Sequence, residues 1–222
     1  MSHPVHPVIA IDGTAASGKS TFSRRLSQKL GYAYVNTGAM YRGVTWYLQQ
    51  RNVPLGEPEA VTRGLAGATL ETRLENGELA FRISGVDPLP HVREGKVNDE
   101  VSLVARVAAV RKLLVAEQQR LAQLAPLVME GRDIGTVVFP QTPYKFFLDA
   151  DAVVRAQRRQ NQGETDAILQ RDVLDQQREN SPLTCASDAL RLDSSLSTVD
   201  ELIALALRHL ASLGLKSQSH FS

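Results

Sequence analysis

IDGTAASGKST, residues 11–21, is the stretch from which the rest of the chain is read. Gly13 to Ser20 matches G-x-x-x-x-G-K-[ST] in full. It stands between a β-branched run, PVIAID (7–12), and a segment with helical spacing, KSTFSRRLSQKL (19–30). Phosphate binding needs this context. Glycines let backbone N–H groups turn inward around a phosphate, the start of the helix adds its partial positive charge, and Lys19 reaches the outer phosphates. Ser20 offers a hydroxyl to a magnesium ion. The alternative, a glycine turn with a surface lysine, gives no reason for a strand on one side and a helix on the other.

Working outward, Phe22, Leu26 and Leu30 share one helical face, and Gly31 is the stop. YAYV (32–35) predicts a second strand and GAMYRGVTWYLQQR (38–51) a second helix. Strand, helix, strand, helix predicts a parallel sheet with helices packed on it. The pattern then changes. ATLETRLENGELAFRISG (68–85) alternates on both sides of Asn76-Gly77, a hairpin signal, and reads as an inserted lobe. A long helical segment runs from about Asn98 to Gln123. LVME (127–130) and YKFFLDA (144–150) read as buried strands, and DAVVRAQRRQNQ as an Arg-rich helix. DALRLD (188–193) is the last strand. TVDELIALALRHLASLG closes the chain as an amphipathic helix, with Thr198 or Asp200 near its cap.

Composition narrows the class. The chain has 222 residues with 25 basic against 24 acidic, so there is no global basic footprint for nucleic acid. Of the basic residues 19 are Arg and 6 are Lys. The planar guanidinium matches phosphate oxygens in pairs, so the bias suits phosphate handling, and it suits a GC-rich genome equally. A single cysteine, Cys185, excludes an internal disulfide and fits a reducing compartment. MSHPVHPVIAID has no signal-peptide pattern, no apolar run approaches ~20 residues, and the five histidines lack metal-ligand spacing. The expectation is a cytoplasmic protein with no nucleic-acid or membrane partner.

A phosphate loop alone does not separate motors, switches and kinases. N-K-x-D and D-x-x-G, the marks of a switch GTPase, are absent. KFFLD ends in Asp149, which could pass for a metal-binding Asp but reads better as the polar end of a core strand, since no Glu follows. Arginines instead stand at the ends of elements facing the loop: Arg42, Arg111, Arg132, Arg158, Arg159, Arg171 and Arg178. Two phosphorylated substrates meeting head-on require that much positive charge. NTGAMYRG (36–43) sets Thr37 and Arg42 across a strand-to-helix turn, suited to an acceptor nucleotide or to a cap with a surface Arg. EGRDIGTVVFP (130–140) puts Arg132 and Asp133 at a strand end where open parallel sheets bind ligands. A structural Arg–Asp pair is the plainer reading there. RDVLDQQRENSPL (171–183) places Arg171, Asp175 and Arg178 on one helical face, which a solvated, salt-bridged surface would also explain.

IDGTAASGKST, NTGAMYRG, VRKLL, EGRDIGTVVFP, RDVLDQQRENSPL and DAL-RLDSS together resemble the bacterial cytidylate kinases of the nucleoside monophosphate kinase family. They stand in family order from about residue 7 to 207. The resemblance implies an α/β phosphate-loop kinase fold. Its core is a five-stranded parallel sheet flanked by helices, with an inserted antiparallel β lobe at about 65–95 and a helical lid at about 154–183. A single unit is implied, with core 1–36, 97–153 and 184–222 and an acceptor-binding region 37–96. The resemblance implies transfer of the γ-phosphate of ATP to CMP or dCMP, UMP being a poorer acceptor, with magnesium as MgATP and a monomeric enzyme.

Carried over by position, ATP falls to Gly13, Thr14, Ala15, Ala16, Ser17, Gly18, Lys19, Ser20 and Thr21, with Arg158, and magnesium to Ser20. CMP falls to Thr37, Arg42, Ser102, Arg111, Arg132, Asp133, Arg171, Asp175 and Arg178. Ser102, Arg111 and Asp133 would read the cytosine edge and Asp175 the sugar hydroxyls, while Arg42, Arg132, Arg171 and Arg178 serve phosphates. Lys19, Arg132 and Arg178 are the expected catalytic residues. The chain departs from the family pattern at Thr14 and Ala16, and in having only eleven residues between Arg159 and Arg171 where about ten more are usual. Ser102 and Arg111 are nine apart, which on an unbroken helix is ~2.5 turns and opposite faces. If both touch one base, the helix must break near Arg106 to Ala109. The competing functions are another small-metabolite kinase, acting on shikimate or UMP, and a regulatory protein that hydrolyses ATP slowly.

Overall fold

The computed structural model describes residues 5–161 and 183–215. The expected parallel sheet is present, with strands β1 (Val8–Gly13), β2 (Ala33–Asn36), β5 (Leu127–Glu130), β6 (Lys145–Asp149) and β7 (Leu190–Asp193). These five run parallel in the order β2-β5-β1-β6-β7. Every residue of β1 is buried, the signature of a central strand covered on both faces.

The inserted antiparallel hairpin is present, and the difference from the expected five strands is that it joins the main sheet. Its strands β3 (Leu70–Glu75) and β4 (Glu78–Ile83) extend the main sheet to seven strands, β4 lying parallel to β2 through Tyr34 and Glu78. The Tyr34 N–H donates to the Gly77 carbonyl at 2.8 Å, so the tip of the hairpin satisfies the free edge of β2. Asn76 and Gly77 both have positive φ (51° and 75°), as the tight turn requires.

Helices α1 (Lys19–Leu30), α2 (Thr37–Gln49), α3 (Pro58–Gly64), α4 (Gly95–Ala105), α5 (Ala108–Leu121), α6 (Ala152–Asn161) and α7 (Val199–Ser212) flank the sheet. The apolar face of α1 packs Phe22, Leu26 and Leu30 against Ile9, Ile11, Phe146 and the α7 residues Leu202, Ile203 and Ala206. Full burial of Phe22 and Leu26 stabilises by about 2 kcal/mol each. Of the two cap candidates, Thr198 and Asp200, it is Thr198 that starts α7, in a capping box with Glu201.

The segment from Asn98 to Gln123 is broken as the spacing of Ser102 and Arg111 demanded. Helix α4 stops at Ala105 and α5 starts at Ala108, with Val107 extended (φ −73°, ψ 122°). The chain needs neither Pro nor Gly to turn there, because Val104, Val107 and Val110 all sink into the core shared with α2 and the hairpin. Three elements have no counterpart in the sequence reading: α3, a 3₁₀ turn at Leu89–His91, and a π-helical turn at Ile134–Val138.

Candidate active site

The carboxyl ends of β1, β2 and β5 open into one cavity of about 1110 Å³. One wall is the phosphate loop. Gly13 has φ 148°, and a Cβ there would lie 1.9 Å from the Leu148 carbonyl oxygen, so only glycine lets the chain leave β1 against β6. Gly18, at φ 85°, begins α1 and leaves its first amides facing the cavity. Thr14 donates to the Asp149 carboxylate at 2.8 Å, which ties the loop to β6 and accounts for the polar strand end. Lys19 is buried, its ammonium donating to the Thr14 carbonyl at 2.5 Å and also facing the Ser17 hydroxyl. The cavity lining begins at Ala15, so Gly13 and Thr14 shape the loop from behind.

The opposite wall comes from α2, α4, α5 and the turn after β5. Asn36, not Thr37, caps α2, its side chain accepting from the Ala39 N–H at 3.0 Å. Thr37 donates to the Glu130 carbonyl at 2.8 Å, binding the start of α2 to the end of β5. A Cβ on Gly131 would lie 2.7 Å from the Thr37 hydroxyl and 2.6 Å from Ile134, so a glycine is needed where these elements meet. Arg42 from α2, Ser102 from α4, Arg111 from α5, and Arg132 and Asp133 from the turn all line the cavity. The Arg–Asp pair is not the one suggested by adjacency. Asp133 pairs with Arg111, both buried, while Arg132 donates to the Gly131 carbonyl at 3.3 Å.

Arg158, from α6, closes the site beside the phosphate loop. It donates to the hydroxyl and carbonyl of Ser194 at 3.0 and 2.6 Å, and Ser194 in turn donates to the Ser17 carbonyl at 2.7 Å. Sequence reasoning did not single out Ser194, although it begins the serine pair that follows RLD. The buried trio Tyr34, Glu130 and Asp12 was also missed. Tyr34 donates to the Glu130 carboxylate at 2.5 Å and its hydroxyl faces Ser20. Burial and that carboxylate push the phenol upward from its ordinary range. Asp12 accepts from the Ile134 and Gly135 N–H groups, and its burial raises the carboxyl to about 6 against those hydrogen bonds. Only packing reveals these three, since each stands in an ordinary strand. The expected site residues Arg171, Asp175 and Arg178 lie outside the described residues.

Among the described residues no group of three His, Cys, Asp or Glu side chains is placed to hold a metal ion. The donor set at the loop is the Ser20 hydroxyl beside a phosphate cradle. That suits a hard cation arriving on a nucleotide rather than one caged by protein. Among the same residues no helix is long and apolar enough to cross a membrane.

A family model described as cytidylate kinase matches residues 9–212. The chain is 42% identical over 209 residues to a cytidylate kinase of Desulforamulus reducens, covering 89% of this chain and 94% of that one. It is 41% identical over 210 residues to a cytidylate kinase of Parabacteroides distasonis, covering 87% and 92%. It is also 43% identical over 211 residues to a bifunctional pantoate ligase/cytidylate kinase of Prochlorococcus marinus, spanning 42% of that longer protein.

Proposed function

The chain belongs to the cytidylate kinase family, and we propose that it transfers the γ-phosphate of ATP to CMP or dCMP, giving ADP and CDP or dCDP. The observation that carries this reading is a single cavity with a phosphate loop on one wall and Arg42, Arg111 and Arg132 on the other. A donor and an anionic acceptor can meet there with their charges balanced.

In this reading the loop amides and Lys19 hold the β- and γ-phosphates, and Arg158 flanks the donor. Lys19 exchanges its contacts to Thr14 and Ser17 for phosphate oxygens. The Ser20 hydroxyl would hold the magnesium ion brought with ATP, which would supply neutralising charge to the phosphates. Arg132, with Arg42, orients the acceptor phosphate for in-line attack, and Arg171 and Arg178 are assigned to phosphates by family resemblance. The acceptor oxygen is already ionised, so the bond to the γ-phosphorus forms as the bond to ADP breaks, without a general base. Ser102, Arg111 and Asp133 read the cytosine edge, with Asp133 held by Arg111, and Asp175 takes the sugar hydroxyls. The acceptor-binding region 37–96 and the lid at about 154–183 work around a fixed core.

A coupled ADP-release assay over a panel of nucleoside monophosphates tests the reading. CMP and dCMP are expected to be the best acceptors and UMP weaker. ADP release independent of any acceptor would favour a slow regulatory ATPase instead.

A further inference from the structure

Asp12 is the last residue of β1 before the loop glycine, yet its side chain bonds to the turn that follows β5. Both carboxylate oxygens are used: Oδ1 accepts from the Ile134 N–H and Oδ2 from the Gly135 N–H, each at 2.8 Å. These are the first two amides of the π-helical turn Ile134–Val138, whose internal bonds reach back only from Val137 onward, to Asp133 and Ile134. A helical turn leaves its first N–H groups without partners of its own, and a buried donor left unmade is costly. Asp12 therefore caps this turn from a different strand, 122 and 123 positions away.

The surroundings leave Asp12 few other tasks. Lys145, whose stem passes beside Gly135, sends its ammonium to Asp188 and the Pro140 carbonyl. Lys19 and Asp133 act on Asp12 as charges, with opposite signs. Gly135 fits the same device: a Cβ there would lie 3.1 Å from the Lys145 side chain and 3.4 Å from Asp12 Oδ2. The residues immediately before the capped amides are Arg132 and Asp133, the second of which is locked to Arg111.

We propose that Asp12 is a positioning residue for the acceptor: its carboxylate fastens the turn carrying Arg132 and Asp133 to the strand that launches the donor loop. This rests on the reading of Arg132 and Asp133 as acceptor ligands. The donor side is bound by the loop's own amides and Lys19, so loss of the cap falls chiefly on CMP. Asp12→Asn keeps the shape and one acceptor oxygen but loses the charge and the second bond.

The test measures kcat and KM for each substrate in wild type and Asp12→Asn, together with amide hydrogen exchange at Ile134 and Gly135. In wild type both amides should exchange slowly, and CMP should slow them further while a non-hydrolysable ATP analogue alone does not. In Asp12→Asn the KM for CMP should rise about tenfold, on the scale of one charge-assisted hydrogen bond, with the KM for ATP changing far less. Loss of turnover in proportion to loss of folded protein, with both KM values unchanged, would overturn the proposal. Loop-like exchange at the two wild-type amides, or exchange indifferent to CMP, would overturn it even if the variant does not fold. Absence of CMP turnover in wild type is a different result: it removes the acceptor reading itself, and the positioning role with it.

Discussion

Lys19 is held within the phosphate loop by the Thr14 carbonyl and Ser17 hydroxyl, and in the proposed reading its charge points along the path of the donor phosphates. Lys19→Met keeps the length of the stem and removes the charge that stabilises the transferring group. Turnover should fall by ~10²–10³ or more at unchanged melting temperature. Near-wild-type kcat in a folded Lys19→Met protein would contradict the role given to the loop. Asp12 makes a second residue-scale prediction. Its folded carboxyl is raised to about 6 by burial, so the folded chain holds a proton that the unfolded chain releases nearer 4. Stability from this group is therefore complete below pH ~4 and is lost as the pH rises through about 6. Relative to Asp12→Asn, wild type should lose about 3 kcal/mol between those limits, read from urea unfolding at a series of pH values. A flat difference would show that burial does not control this carboxyl. The charge kept at neutral pH is thus bought with stability, as expected where a buried anion serves the site rather than the fold.

The break between α4 and α5 determines whether two of the expected residues share a ligand. Ser102 and Arg111 line the same cavity only because Val107 leaves the helical conformation between them. Ser102→Ala should raise the KM for CMP several-fold to about tenfold and leave that for ATP unchanged, as steady-state kinetics with each substrate varied would record. Arg111→Met carries a second cost, since it strands the buried Asp133 carboxylate. A loss of about 3–5 kcal/mol in unfolding free energy is expected, and much of it should return in Arg111→Met/Asp133→Leu without recovery of CMP binding. The need for the break followed from the nine-residue spacing once the family resemblance had assigned Ser102 and Arg111 to one base. The mode of breaking was not, because no Pro or Gly marks it and the valines that pull the chain inward look like ordinary helix core. The π-helical turn at Ile134–Val138 was illegible for a similar reason: its amides are satisfied by Asp12, which nothing local identifies.

Across the molecule, the two walls of the cavity belong to different parts of one sheet, so each nucleotide should stabilise the fold separately. CMP alone at ~100 times its dissociation constant should add about 2.7 kcal/mol, visible as a rise in melting temperature. A chelator should leave that increment intact while abolishing phosphoryl transfer. Loss of the CMP increment on chelation would place the metal at the acceptor instead. The phosphate loop, the order of the elements along the chain, the face of α1 and the start of α7 near Thr198 or Asp200 could all be read from sequence, because each rests on contacts within a few residues or on a period of the chain. Part of the cavity lining could be named as well: Ala15 to Thr21 from the local motif, and Thr37, Arg42, Ser102, Arg111, Arg132, Asp133 and Arg158 from the family resemblance. The joining of the hairpin to the free edge of β2, the pairing of Asp133 with Arg111 rather than with its neighbour Arg132, and the grip of Asp12 on the turn at Ile134–Val138 required the tertiary structure. These are pairings between groups far apart along the chain, chosen by which buried donors and charges the packed sheet leaves in need of partners.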